Sequence, residues 1–196
     1  AAAPARSMST PHLKLQDRFF KKTILRLIPE RVHPNHVTIT RFILTPFVVC
    51  LVLEQHYGWG IAAFLFLAFT DVLDGVMARV YDKITPWGKI YDPVADKLLI
   101  GSLVGILVIQ HLSAQLAVAI IGIEMLFIAL GWWWVSSGIE VQANRWGKIK
   151  MVLQVVGVTM LLIGLATGFE GFLDVSAKTF YLALVFAIIS LFTNGV

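Results

Sequence analysis

Four aspartates, Asp71, Asp74, Asp92 and Asp96, stand in pairs within stretches otherwise built largely of apolar residues. Asp71 and Asp74 are three residues apart and Asp92 and Asp96 four, so on helices each pair shares one face. A carboxylate at mid-bilayer costs about 2.5–3.5 kcal/mol on insertion scales, and four cost on the order of 10 kcal/mol before water or partners relieve them. Clustered carboxylates repel unless cations neutralise them, and hard oxygen donors suit Mg²⁺ or Mn²⁺. Zinc is disfavoured, because no His or Cys stands near these acids in sequence. Two ions held ~3.5–4 Å apart by shared carboxylates form a clamp for phosphoryl-type displacement. An acid with lighter metal duty can take a proton from an attacking hydroxyl. At a membrane face such a site suits a substrate with a lipid tail and a phosphate-rich head. The bland alternative is interfacial pairing of the acids with Arg79, Lys89 and Lys97.

The elements that must position these acids are membrane helices. The 196 residues are 58% hydrophobic and 14% charged, against about 45–50% and 25% in a soluble domain. That balance excludes a disordered chain, and the single Cys50 excludes an internal disulfide framework. Six apolar stretches, near His36–Leu53, Trp59–Val80, Trp87–Gln110, Ala114–Val135, Ile149–Thr167 and Lys178–Phe192, predict a six-helix membrane bundle. Gly58, Gly168 and Gly171 are read as turns. Residues 1–11 are expected to be a flexible tail or remnant, without the apolar run of a secretory signal. Residues 12–30 place Leu13, Phe20, Ile24, Leu27 and Ile28 on one helical face, with Lys14, Arg18, Lys22 and Arg26 elsewhere. This predicts an amphipathic helix lying in the interface ahead of a catalytic bundle over 31–196.

Charge gives the orientation. Fifteen of the 16 Lys and Arg fall in the amino-terminal segment, around the second connection or around the fourth; the remaining connections hold only Lys178. The positive-inside rule then places both termini, and the acids, at the cytoplasmic side of an inner or plasma membrane. A nucleic-acid binder is excluded, since the basic residues lie within reach of the bilayer. A cation transporter using intramembrane acids is the rival from another class, but the acids cluster at one face and no inverted hydropathy repeat is present.

Asp71-x2-Asp74-Gly75-x2-Ala78-Arg79-x8-Gly88-x3-Asp92-x3-Asp96 resembles, at every fixed position, the signature of the CDP-alcohol phosphotransferases. The resemblance implies transfer of a substituted phosphate from a CDP-linked donor to an alcohol, with release of CMP. It implies that Asp71, Asp74 and Asp92 bind two Mg²⁺ or Mn²⁺ ions, and that Asp96 is the general base and touches a metal as well. Gly75, Ala78, Arg79 and Gly88 would line the nucleotide pocket, with Asn35 and Thr38 on the donor side. A homodimer is also implied by the family likeness.

The run Asp92-Pro93-Val94-Ala95-Asp96-Lys97 resembles that of phosphatidylglycerophosphate synthases, as do Pro34-Asn35-His36-Val37-Thr38 with Arg41, and Gly147-Lys148-Ile149-Lys150 with Gln154. This implies CDP-diacylglycerol as donor and glycerol 3-phosphate as acceptor, giving phosphatidylglycerol phosphate. Two positions depart from the pattern: Met151 replaces Thr, and Ile123 stands before Glu124 where those synthases usually carry Arg. Inositol phosphate, a second phospholipid or another polyol therefore stay as alternative acceptors. Arg41, Glu124, Arg145, Lys148 and Lys150 are the candidate acceptor-binding residues.

Each has a plainer reading beside it. Arg41 could snorkel to the cytoplasmic face, and Glu124 could pair with a polar neighbour. Trp132, Trp133 and Trp134 read as an interfacial belt. Gly101-x3-Gly105 reads as a packing seam, and His33 and His36 as interfacial residues and not ligands.

Overall fold

The computed structural model describes the backbone of residues 34–80, 86–137 and 144–193; within these, the side chains of 34–37, 73–80, 86–93 and 135 are excepted. The expected tail over 1–11 and interfacial helix over 12–30 lie outside the described residues. All regular structure among the described residues is helical. In chain order it comprises α1 (Pro34–Leu53), α2 (Tyr57–Val80), α3 (Pro86–Leu103), a π-helical segment (Val104–Val108), α4 (Ile109–His111), α5 (Ala114–Ser136), α6 (Arg145–Thr167) and α7 (Glu170–Phe192). The third apolar stretch is thus one rod, α3 to α4, with a widened turn between them.

Among the described residues, four windows are long and apolar enough to cross a membrane: Val94–His111, Ala114–Trp134, Arg145–Thr167 and Glu170–Phe192. Thr38–Leu53 and Tyr57–Val72 are shorter apolar helical stretches. Much of the apolar surface faces outward: Ile43, Phe47, Val118, Met125, Val152 and Leu182 are all exposed. In water so much exposed hydrocarbon would drive aggregation. On an integral membrane protein it is the lipid-facing surface.

The interior is packed by Phe64, Leu99, Leu103, Leu107, Leu161 and Phe180, all essentially inaccessible. The most closely packed pair is α6 with α7, and α1 packs against both α2 and α3. Among the described residues α2 and α3 touch each other less than either touches α1.

Local chemistry sets the helix ends. The Asn144 side chain accepts from Gly147 N–H at 2.7 Å and caps α6. Gly168 ends α6 at φ 71°, a left-handed conformation that glycine adopts without steric cost, and its N–H bonds Gly164 O at 2.8 Å. The last helix begins at Glu170, eight residues before the sequence-based start at Lys178, and takes in Gly171. Residues 169–178, with Gly171 read as a turn, are expected to be a connection. However, Phe172 and Leu173 on this first turn pack against Gly164 of α6, and Glu170 sits favourably at the helix amino terminus.

Small residues let α6 and α7 approach. A Cβ on Gly157 would lie 2.9 Å from the Phe180 ring, and the Ser176 hydroxyl donates to Gly157 O at 2.8 Å inside the same contact. In the proposed Gly101/Gly105 seam, Gly105 has Ile121 at 3.4 Å from its would-be Cβ, whereas Gly101 faces nothing within 4 Å. Gly157→Ala should therefore lower thermal stability in detergent by ~1–3 kcal/mol through overpacking, less a helix-propensity gain of up to ~1 kcal/mol. Gly101→Ala should be neutral or mildly stabilising. Equal melting temperatures for the two variants would contradict this account of the packing.

Candidate functional site

The predicted site residues fall at similar depths from one end of the bundle. Arg41 is seven residues into α1, Asp71 nine before the end of α2, and Asp96 ten into α3; Glu124 is twelve before the end of α5 and Lys150 five into α6. At about 1.5 Å per residue, Arg41, Asp71, Asp96 and Lys150 lie in the same half of the bundle, and Glu124 lies just past the middle of α5.

Arg41 is completely buried and its Nη1 lies 2.6 Å from Asp71 Oδ1, with the Asp71 side chain 23% exposed. It does not snorkel. A guanidinium held in low dielectric needs an anion close by, and α2 supplies it. Thr38, one turn before Arg41, is also fully buried, and the Thr45 hydroxyl donates to Arg41 O at 2.7 Å. Asp96 of α3 is half-buried and lies within electrostatic range of Asp71, Arg41, Glu124 and Lys150. Two of the four aspartates, from two helices, thus share one charged neighbourhood organised around an arginine on a third.

A second charged cluster adjoins the first. Lys150 Nζ donates to Glu124 Oε1 at 2.6 Å, and Gln154 Nε2, one turn along α6, donates to the same oxygen at 2.8 Å. Lys150 and Gln154 are buried, and the Lys150 ammonium lies 4.4 Å from the centre of the Phe127 ring. Glu124 therefore does pair with polar neighbours, and one of them is itself a candidate acceptor residue. Arg145 and Lys148 stay exposed at the start of α6.

The start of α6 is clamped to the end of α7. Besides capping its own helix, Asn144 Oδ1 accepts from the buried Ser190 hydroxyl at 2.9 Å, while Nδ2 donates to Thr193 Oγ1 at 3.0 Å and Ser190 O at 3.3 Å. This fixes the turn that carries Arg145, Lys148 and Lys150. Sequence reasoning passed over Asn144, although Asn ahead of a helix is a capping signal. It also passed over Phe127, which lies one turn beyond Glu124, and treated Gln154 only as part of a likeness.

The side chains of Asp74, Asp92, Gly75, Ala78, Arg79, Gly88 and Asn35 lie outside the described ones; their positions fall on α1, α2 and α3. Among the described residues no three His, Cys, Asp or Glu side chains form a cation cage. The donor set that is described, Asp71 and Asp96, is carboxylate oxygen and matches a hard divalent ion. A carboxylate has two oxygens, so Arg41 on Oδ1 is compatible with a cation at the other. Trp132 and Trp133 are exposed at the same end of the bundle, as an interfacial belt requires. A cavity of about 330 Å³ at the opposite end, lined by His111, Ser113, Glu170, Asp174 and Tyr181, contains none of the predicted site residues.

Residues 31–193 match the family described as CDP-alcohol phosphatidyltransferase, and the chain belongs to that family of enzymes. It is 35% identical over 139 residues to a CDP-diacylglycerol--glycerol-3-phosphate 3-phosphatidyltransferase of Pseudomonas fluorescens, covering 66% of this chain and 71% of that one. The enzyme of the same name from Bacillus subtilis is 33% identical over 147 residues, 66% of this chain and 76% of the relative. A probable cardiolipin synthase (CMP-forming) of Drosophila melanogaster is 39% identical over 72 residues, 36% of this chain and 22% of its own length.

Breaking a buried ion pair by removing one partner costs about 3–5 kcal/mol. Arg41→Gln should accordingly lower the melting temperature well below that of Arg145→Gln, whose side chain is exposed. A loss no greater than that of the surface variant would show that the Arg41–Asp71 pair does not support the fold.

Proposed function

We propose that this chain is an integral membrane phosphatidyltransferase that moves the phosphatidyl group of CDP-diacylglycerol to glycerol 3-phosphate. The observation that carries the reading is the nearness of Asp71 and Asp96 to buried Arg41, with Lys150 within electrostatic range of Asp96. Family membership supports the transfer class, and the names of the relatives at 33–35% identity support the acceptor.

In this reading the acceptor hydroxyl oxygen attacks the phosphorus that bears the diacylglycerol ester. The bond from that phosphorus to the bridging oxygen breaks, and CMP departs with the electron pair. Asp96 receives the hydroxyl proton. Asp71, Asp74, Asp92 and Asp96 would hold two Mg²⁺ or Mn²⁺ ions, which when bound supply positive charge to the pyrophosphate and the departing phosphate. Arg41 holds the Asp71 carboxylate in place from α1. Gly75, Ala78, Arg79, Gly88, Asn35 and Thr38 would form the donor side. Arg41, Glu124, Arg145, Lys148 and Lys150 would form the acceptor side.

The helices α1 and α2 have 20 and 24 residues, or about 30 and 36 Å at 1.5 Å per residue. We take both as crossing, which gives six spans with the acids and both termini at the cytoplasmic face and residues 12–30 in the interface. A homodimer belongs to the same proposal, by family likeness. A second reading keeps the chemistry and changes the acceptor to a phospholipid. Ile123 in place of the usual Arg and the local similarity to a cardiolipin synthase favour it.

Membranes carrying the protein, given labelled CDP-diacylglycerol, Mg²⁺ and a panel of glycerol 3-phosphate, inositol phosphate and phosphatidylglycerol, should release CMP with glycerol 3-phosphate. Release with phosphatidylglycerol alone would select the second reading. No release with any alcohol would return the cation-transporter reading. Asp96→Asn should abolish turnover while metal-dependent CDP-diacylglycerol binding persists, whereas Asp71→Asn should weaken both. Near-normal turnover of Asp96→Asn would remove the base assignment.

A further inference from the structure

Arg41 puts a permanent positive charge beside carboxylates that the functional reading assigns to divalent ions. Its side chain is fully buried, and its Nη1 lies 2.6 Å from Asp71 Oδ1. The charge comes from α1, whose 20 residues include no acid. A guanidinium does not lose its proton in a protein. A snorkelling arginine can keep its head in water, but burial denies Arg41 that exit. The segment around it is fixed as well: Thr38, one turn before, is buried, and the Thr45 hydroxyl donates to Arg41 O at 2.7 Å.

A fixed cation and a metal ion compete for the same carboxylate. An ion arriving at Asp71 meets a like charge at short range, where the surroundings screen it poorly. Asp96 also lies within electrostatic range of Arg41, so the opposition reaches both described aspartates. This effect is the difference between one positive charge being present and absent. The other acids of α2 and α3 are the same in both cases and drop out of the comparison. The donor changes the balance, because its pyrophosphate brings negative charge and further hard oxygen ligands to the ions. By linkage, the ions then tighten the donor by the same factor as the donor tightens them.

We propose that Arg41 keeps the divalent-ion affinity of the empty pocket low, so that the ions are held firmly only together with the CDP-linked donor. The proposal rests on the functional reading above and deepens it: the arginine that neutralises Asp71 also controls when the ions load. The sign of the effect separates this role from a structural one. If Arg41 only held Asp71 in place, its removal would loosen the carboxylate and weaken ion binding. If Arg41 opposes the ions, removal of its charge strengthens it.

The test is Mn²⁺ binding by the whole chain in detergent, followed through the paramagnetic resonance signal of the free ion. Titrations are run without acceptor, in the presence and absence of CDP-diacylglycerol. Wild type should bind Mn²⁺ about tenfold or more tighter with the donor than without it. Arg41→Gln should bind Mn²⁺ without donor about tenfold or more tighter than wild type does. Arg41→Lys, which keeps the charge, should stay within about threefold of wild type, well under that step. If Arg41→Gln binds Mn²⁺ no better than wild type, or worse, Arg41 does not oppose the ions, and the metal reading stands without it. If Arg41→Gln cannot be obtained folded, the two wild-type titrations decide: equal affinity with and without donor overturns the proposal, and donor-dependent affinity supports it. Absence of Mn²⁺ binding by wild type in both titrations would remove the metal assignment itself, and this proposal with it.

Discussion

A charge removed from water must find its counter-charge close by, and in this molecule it must find it on another helix. Coulomb attraction at contact distance in a medium of low dielectric is many times its value in water, and so is the penalty for leaving either partner alone. Arg41 of α1 is wholly enclosed and meets Asp71 of α2; Lys150 of α6 is buried and meets Glu124 of α5. Each pair ties together two helices whose apolar contacts alone would allow sliding or rotation. The polar residues therefore help to fix the angular position of the helices in the bundle.

The same constraint joins structure to chemistry. Asp71 and Asp96 share a charged neighbourhood with Arg41, and Asp96 is also within range of Lys150, so negative charge is concentrated without being left bare. On the proposed function the acids would take the divalent ions and the adjoining basic residues the acceptor, and a phosphoryl-transfer site needs both kinds of capacity close together. At the other end of the bundle the chain spends its small residues on close packing, with Gly164 against Leu173 and Gly168 closing the turn. The cavity there carries none of this chemistry.

The clamp at the start of α6 works on a finer scale. Asn144 uses one side-chain oxygen for its own helix and for Ser190, and its amide nitrogen for the end of α7. Through it the most closely packed helix pair holds the basic turn that carries the exposed Arg145 and Lys148.

Much of this was legible from residue types and spacing. Long, continuously apolar runs with few charges favour helix, because a helix satisfies every N–H and C=O within its own segment, whereas strands need a closed barrel. The spacing of the four aspartates puts each pair on one face, and the composition marks the membrane. Helix ends were less legible: 169–178, with its glycine and scattered charges, reads as a connection until Leu173 is seen against Gly164. Partnership was not legible at all. Nothing local says that Arg41 turns inward to Asp71 across 30 positions, that Glu124 is met by Lys150 and Gln154, or that Lys97 and Lys150 share one ring. Spacing along one helix is decided by backbone geometry and is written in the chain; contact between helices depends on how whole rods pack and rotate, and only the assembled bundle decides it.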